Sequence, residues 1–104
     1  MIARLWHGRT RAPDYDTYWA FLHDRAIPDY RSTPGNMGVR LFRRLAGEQA
    51  HFLTLSYWTS LYAIQAFAGA DIAVAKYYVE DREYLLEFEP TVEHYEVTGS
   101  DALT

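Results

Sequence analysis

The sequence predicts an α+β domain in which one antiparallel sheet carries helices on one face. Three observations predict it. Apolar and polar residues alternate at period two over residues 2–9, 37–44, 51–58 and 91–97, apolar residues recur at helical spacing over 13–28 and 60–69, and turn formers punctuate the runs between. A chain of 104 residues suffices for one domain, 1–104, that buries roughly two thirds of its unfolded surface.

Taken in order, the first strand places Ile2, Arg4 and Trp6 on one face and Ala3, Leu5 and His7 on the other. Pro13 suits a first helical turn, Asp14 and Asp16 complement the positive helix start, and Tyr15, Tyr18, Trp19, Leu22 and Ala26 form a stripe that ends near Pro28. Residues 29–36, DYRSTPGN, read as a loop because Thr33 precedes a proline and Pro34-Gly35 favours a turn. Residues 37–44 and 51–58 flank Gly47 and form a hairpin. Ser60 or Thr59 caps the next helix, which turns Leu61, Ile64 and Phe67 or Ala68 to the core and stops at Gly69. Asp71 caps a further short helix through Tyr78, and a third helical stretch at 80–88 gathers Tyr84, Leu85 and Phe88 before Pro90. The last strand follows at 91–97, and the tail 100–104 is loose. Strand, helix, strand, strand, helix, strand is the ferredoxin-like order.

Composition narrows the function. A net charge of −4 disfavours a general nucleic-acid or anionic-membrane surface; Arg40, Arg43 and Arg44, the one dense basic stretch, read as a solvated hairpin rim. With no cysteine, disulfides, thiol nucleophiles and thiolate metal sites are excluded, which suits a cytoplasmic location. The N-terminal stretch lacks the apolar core of a signal peptide, and no apolar run is long enough to span a membrane. His7, His23, His51 and His94 lie far apart with no H-x-x-x-H pair, so no metal site is expected. Nucleotide-binding and nucleophile-elbow motifs are absent. The aromatic share of 16%, with nine tyrosines and three tryptophans, points to a large interface or a pocket for a flat ligand. On the third strand Leu53, Leu55 and Tyr57 point one way while Phe52 and Trp58 point the other. Two helices cover only one face, so the other is expected to be covered in a homodimer.

The strand ending LTLSYW, the helix TSLYAIQAFAGAD and the segment IAVAKYY, supported by YWAFL, PGNMG and VEHYEV, resemble the antibiotic biosynthesis monooxygenase superfamily over nearly the whole chain. The resemblance implies ferredoxin-like domains paired as a dimeric α+β barrel, a fold that hosts several chemistries. Set against its quinol-oxygenating branch, the positions of the pocket Asn, Trp, Tyr and Arg hold Thr54, Trp58, Ile64 and Tyr78. Set against its haem-degrading branch, the strand-one Asn falls near His7 or Gly8, the Trp is Trp58, and Tyr77 stands where a histidine ligates iron. Trp58 alone matches in both.

The residues are compatible with cofactor-free oxygenation of a small aromatic, polyketide-like quinol or phenol. Such a substrate supplies its own electrons once deprotonated, so the protein needs an apolar pocket, a base and oxyanion donors. Trp58 offers an indole N–H and a stacking wall, His7 and His94 are the candidate bases, and Tyr77 or Tyr78 can donate to the oxyanion. Trp6 and Thr54 complete the substrate-binding set. On the expected helix the two tyrosines diverge by about 100°, so one at most enters a given pocket. Each residue also has a structural reading: Trp58 as a core plug, His94 with a cross-strand or dimer partner. Two alternatives stay open, haem bound through Tyr77 and a noncatalytic dimer that binds small aromatic molecules.

Overall fold

The computed structural model describes residues 1–102; Leu103 and Thr104 of the expected loose tail lie outside the described residues. Strands β1 (Ile2–Arg11), β2 (Asn36–Ala46), β3 (Gln49–Trp58) and β4 (Glu93–Glu96) form one antiparallel sheet in the order β2-β3-β1-β4, the ferredoxin-like arrangement. Along β3 every second residue is buried: Ala50, Phe52, Thr54, Ser56 and Trp58 face the helices, while His51, Leu53, Leu55 and Tyr57 face the other way and are half-buried. Pairing aligns Trp6 with Thr54, Ile2 with Trp58 and Arg4 with His94, so these side chains share the helix face. Trp6, Tyr18, Phe52, Trp58, Ile64 and Phe67 form the centre of the core.

The first helical stretch continues past its expected end near Pro28. It runs through α1 (Tyr15–Phe21), a π-helical turn (Leu22–Ala26) and α2 (Ile27–Ser32). Pro28 has no N–H to offer the Asp24 carbonyl, and its ring would crowd that carbonyl in an unbroken α-helix. The wider turn, closed by the Ile27 N–H on the Leu22 carbonyl, gives the ring room. Asp29 and Tyr30, expected in a loop, therefore lie on a helix, and the loop shrinks to residues 33–35. There Gly35 (φ 91°) packs so tightly on the helix that follows β3 that a Cβ would stand 2.5 Å from the Ala63 Cβ.

Helix α3 (Leu61–Ala68) follows the expected caps, with the Ser60 hydroxyl accepting from the Ala63 N–H at 3.1 Å and Gly69 at φ 96° ending it. Ile64 and Phe67 are buried, whereas Leu61, expected in the core, is half exposed. Ser60→Ala is expected to cost about 1 kcal/mol, read as a lower urea midpoint with an unchanged slope.

The short helix expected from Asp71 to Tyr78 does not form. Asp71 does cap the Ala73 N–H, but the Ile72 and Val74 carbonyls accept from the buried Arg4 guanidinium at 2.5 and 3.2 Å, and Ala75 N–H donates to the Pro90 carbonyl. With those groups taken by tertiary partners the segment stays extended, and Tyr77 and Tyr78 point to different sides of it rather than diverging on a helix. The third helical stretch is reduced to a 3-10 turn (Val79–Glu83), because Leu85 bridges to Thr10 and the Leu86 N–H donates to the Arg9 carbonyl. Likewise Thr91 bridges to Val74, which leaves β4 shorter than the alternation in sequence indicates. Among the described residues no helix is long and apolar enough to cross a membrane.

Candidate functional site

Between sheet and helices lies a cavity of about 20 Å³, lined in part by Trp6, Tyr30, Thr54, Phe67, Lys76 and Tyr78. The strands contribute Trp6 and Thr54 as opposed residues, the wide turn before Pro28 brings Tyr30 round to face them, and the extended segment after Asp71 lays Lys76 and Tyr78 across the opening. Its polar groups are paired. The Tyr30 and Thr54 hydroxyls share a hydrogen bond of 2.9 Å. Asp29 Oδ2 accepts from Lys76 Nζ at 2.6 Å and from the Tyr78 hydroxyl at 2.5 Å, while Nζ sits 4.3 Å from the Phe67 ring centre. Burial works to raise the Asp29 carboxyl, but the Lys76 and Tyr78 hydrogen bonds outweigh it and hold that pKa below its ordinary value. Burial, reinforced by the Asp29 charge, pushes the Tyr78 phenol far up, so Tyr78 is a donor at any physiological pH.

Behind this cavity stands a second buried carboxylate. Asp81 accepts from the Tyr18 hydroxyl at 2.8 Å and the Tyr78 backbone N–H at 2.7 Å. Burial raises its pKa, with those two hydrogen bonds opposing.

The predicted site residues do not gather in one place. Trp6, Thr54 and Tyr78 meet at the cavity. Trp58 is fully buried one layer further in, against Tyr30 and Phe67, and its indole N–H donates to Ser56 Oγ at 2.9 Å. His94 accepts from Arg4 at 3.1 Å, and burial together with that guanidinium lowers its pKa. Tyr77 packs edge-on to Trp6 and donates to the Glu89 carbonyl. Burial raises its phenol pKa against the pull of the Trp6 N–H, which itself has no partner in hydrogen-bonding geometry. His7 is on the opposite face of the sheet from Trp58, as period two requires, and its Nδ1 lies 2.5 Å from Glu89 Oε2.

Sequence reasoning missed Tyr30, Lys76 and Asp29, because Tyr30 and Asp29 fall in the expected loop 29–36 and Lys76 in the helix expected through Tyr78. It also treated the histidines as scattered, although His7 and His51 sit on one face one step off register once β1 pairs with β3. That neighbourhood was legible from the alternation alone.

No protein-family model and no curated protein sequence matches the chain. Solved structures do match in shape. A MhuD mutant with two manganese protoporphyrin IX molecules per active site superposes with a TM-score of 0.62 at 16% identity, covering 98% of this chain and 99% of that one. The haem-degrader MhuD from Mycobacterium tuberculosis, with two haems in its active site, gives 0.57 at 18% identity over 98% and 100% of the two chains. Rv0793 from the same organism gives 0.57 at 17% identity, again over 98% and 100%. These likenesses show a shared fold, a ferredoxin-like antiparallel sheet with helices on one face. In this fold the Trp6, Tyr30 and Lys76 cavity occupies the layer between sheet and helices, and the sheet's other face carries the half-buried Leu5, Leu53, Leu55 and Tyr57.

Proposed function

We propose that this chain is a cytoplasmic, single-domain, cofactor-independent monooxygenase-like protein that acts on a small phenol or quinol as a homodimer. The observation that carries this reading is the cavity's makeup: a fixed cation, Lys76, and a protonated phenol, Tyr78, beside walls of Trp6 and Phe67. A phenol whose keto tautomer holds a ring CH₂ gives up a proton to form an electron-rich anion. That anion supplies the electrons for dioxygen, one oxygen becoming the new carbonyl and the other leaving in water with the two hydrogens. Lys76 and Tyr78 would meet the phenolate oxygen and stabilise its charge in a site with little water. A ring needs more than 20 Å³, a volume that holds about one water, so entry requires the extended segment bearing Lys76 and Tyr78 to swing outward.

The homodimer is supported by the uncovered sheet face. Phe42 and Tyr95 are about half exposed there, and its charges are divided, Arg40 on β2 at one edge and Glu93 on β4 at the other, level with each other along the strands. A two-fold axis along the strands lays one copy's arginine edge over the other's glutamate edge, which makes the face self-complementary.

Haem, which the similar MhuD structures hold, does not fit the residues here. Tyr77 would have to ionise to ligate iron, yet burial and the Glu89, Asp81 and Glu87 carboxylates raise its pKa, and its hydroxyl is donated to a carbonyl. His94 has its Nε2 engaged by Arg4.

Oxygen consumption with a panel of quinols and anthrone-type phenols tests the reading. Saturable uptake is expected, with Lys76→Met, assayed well below its own melting transition, lowering kcat/KM about tenfold or more, since a charge-assisted hydrogen bond is worth roughly 1.5–3 kcal/mol. Saturable binding of the same compounds without uptake would overturn catalysis in favour of a noncatalytic binder.

A further inference from the structure

On the open face of the sheet three side chains from three separate stretches form a chain of hydrogen bonds. Glu89 Oε2 lies 2.5 Å from His7 Nδ1, and His7 Nε2 lies 3.0 Å from His51 Nδ1, with the two rings stacked at 5.2 Å. The tautomers are ordered from the acceptor at the end. A carboxylate only accepts, so His7 Nδ1 donates to Glu89; of the two arrangements that then complete the chain, the one in which His7 Nε2 accepts puts the His51 proton on Nδ1. His51 Nε2 is left as a bare lone pair.

That ring borders a cavity of about 200 Å³ lined by His7, Phe42, Arg43, Arg44, His51 and Leu53. This is less than the roughly 300–1,000 Å³ of sites for drug-sized ligands and suits a single substituted ring. Arg43 is spoken for, donating to Asp16 and to the Tyr15 carbonyl, whereas Arg44 makes no side-chain hydrogen bond among the described residues. The charged neighbours of His51 are Arg44 on β2, Arg9 and His7 on β1, and Glu89 beyond the 3-10 turn; Arg9 is itself paired with Glu87 at 2.6 Å. Burial first, then Arg44, His7 and Arg9, lowers the His51 pKa against the pull of Glu89, which keeps the ring neutral near pH 7.

We propose that the open sheet face holds a second small-molecule site in which His51 is a general base, positioned by His7 and Glu89, and Arg44 pairs with the anion of a small phenolic acid. The O–H bond breaks heterolytically, its electron pair stays on the phenolic oxygen beside Arg44, and the proton passes to His51 Nε2. No oxidant or further reactant is needed. This site is separate from the Lys76 cavity, and in the homodimer proposed above it would lie at the seam between copies.

The probe is 4-nitrophenol, whose coloured anion reports its own ionisation. Wild-type protein, titrated at a pH where the free probe is partly protonated, is expected to give a saturable rise in anion absorbance. In a Lys76→Met background, which silences the cavity between sheet and helices, His51→Gln and Arg44→Gln should each weaken it about tenfold or more, the loss of one hydrogen bond to a charged group, while Arg31→Gln, at an exposed arginine outside both cavities, should leave it unchanged. No saturable rise in that background, or an equal loss in Arg31→Gln, overturns the site, whereas failed oxygen uptake alone sinks only the monooxygenase reading. Nitrogen-15 NMR of unmutated protein gives a second test that needs no variant to fold: His51 must show the Nδ1–H tautomer, and an Nε2–H tautomer refutes the relay. Glu89→Gln keeps the shape but removes the charge that orders the protons, so it should mix the tautomers of both rings.

Discussion

Trp58→Ala is expected to lower folding stability by about 3–5 kcal/mol, the cost of emptying a tryptophan-sized volume in a packed core. The ring is fully buried, packs on Phe67 and Tyr30 at centroid distances of 5.6 and 6.4 Å, and faces Ile2 across the strand pair. For a domain of this length each kcal/mol moves the melting temperature by roughly 4–8 °C, so the drop should exceed about 10 °C. Urea denaturation followed by circular dichroism checks it, and a midpoint near the wild-type value would mean that Trp58 is not packed as described. Trp58→Phe should fall well short of that loss, because it keeps most of the apolar volume and forfeits one hydrogen bond to Ser56. A drop in ligand affinity without a drop in melting temperature would place the indole in the binding chemistry instead.

The second large effect is expected at Asp81, where Asp81→Ala should cost about 3 kcal/mol or more. It strands the Tyr18 hydroxyl, on a fully buried ring, together with the Tyr78 N–H, and an unsatisfied buried donor costs roughly 1–3 kcal/mol each. The effect carries a pH signature. Because the folded-state pKa of Asp81 is raised, its titration contributes stability that is fully present below the unfolded value near 3.8 and is lost as pH rises through the folded pKa. Asp29 has the opposite sign: its pKa is lowered, so its contribution is present above the unfolded value near 3.8 and is lost as pH falls through the folded one. Urea midpoints of the two alanine variants between pH 3 and pH 7 should therefore diverge from wild type in opposite directions. Parallel curves would show that the two carboxylates share one environment.

How far the sequence could be read depended on whether each signal was local. Strand alternation is local, and it correctly divided β3 into a helix face with Phe52 and Trp58 and an open face with Leu53, Leu55 and Tyr57. The caps at Ser60 and Gly69 were equally legible, since each acts within one turn. Failures came where distant groups competed for the backbone. Nothing near residues 72–74 announces that Arg4, some seventy positions earlier, takes two of their carbonyls, so a run of good helix formers stays extended and carries Lys76 and Tyr78 across the cavity. Pro28 was read as a terminator because that is its usual effect, and only a wider turn upstream makes it a passenger. The Trp6, Thr54 and Tyr78 grouping followed from face and family resemblance, whereas His7 was expected beside Trp58 although period two had already placed it across the sheet.

The turn before Pro28 also bears on which length changes the chain can tolerate. A π-helical turn spends one residue more than an α-turn to climb the same distance, so the segment Leu22–Ala26 behaves as a single-residue insertion in an otherwise α-helical path. Deleting one exposed residue there, His23 or Asp24, would remove no contact of consequence. It would return the segment to an α-turn and so keep the downstream helix on its path, with Tyr30 still near Thr54 and Asp29 near Lys76, but it would press the Pro28 ring against the carbonyl four residues earlier. Substitutions at those two positions should be nearly silent, while a deletion of either should cost about 3 kcal/mol through Pro28 alone.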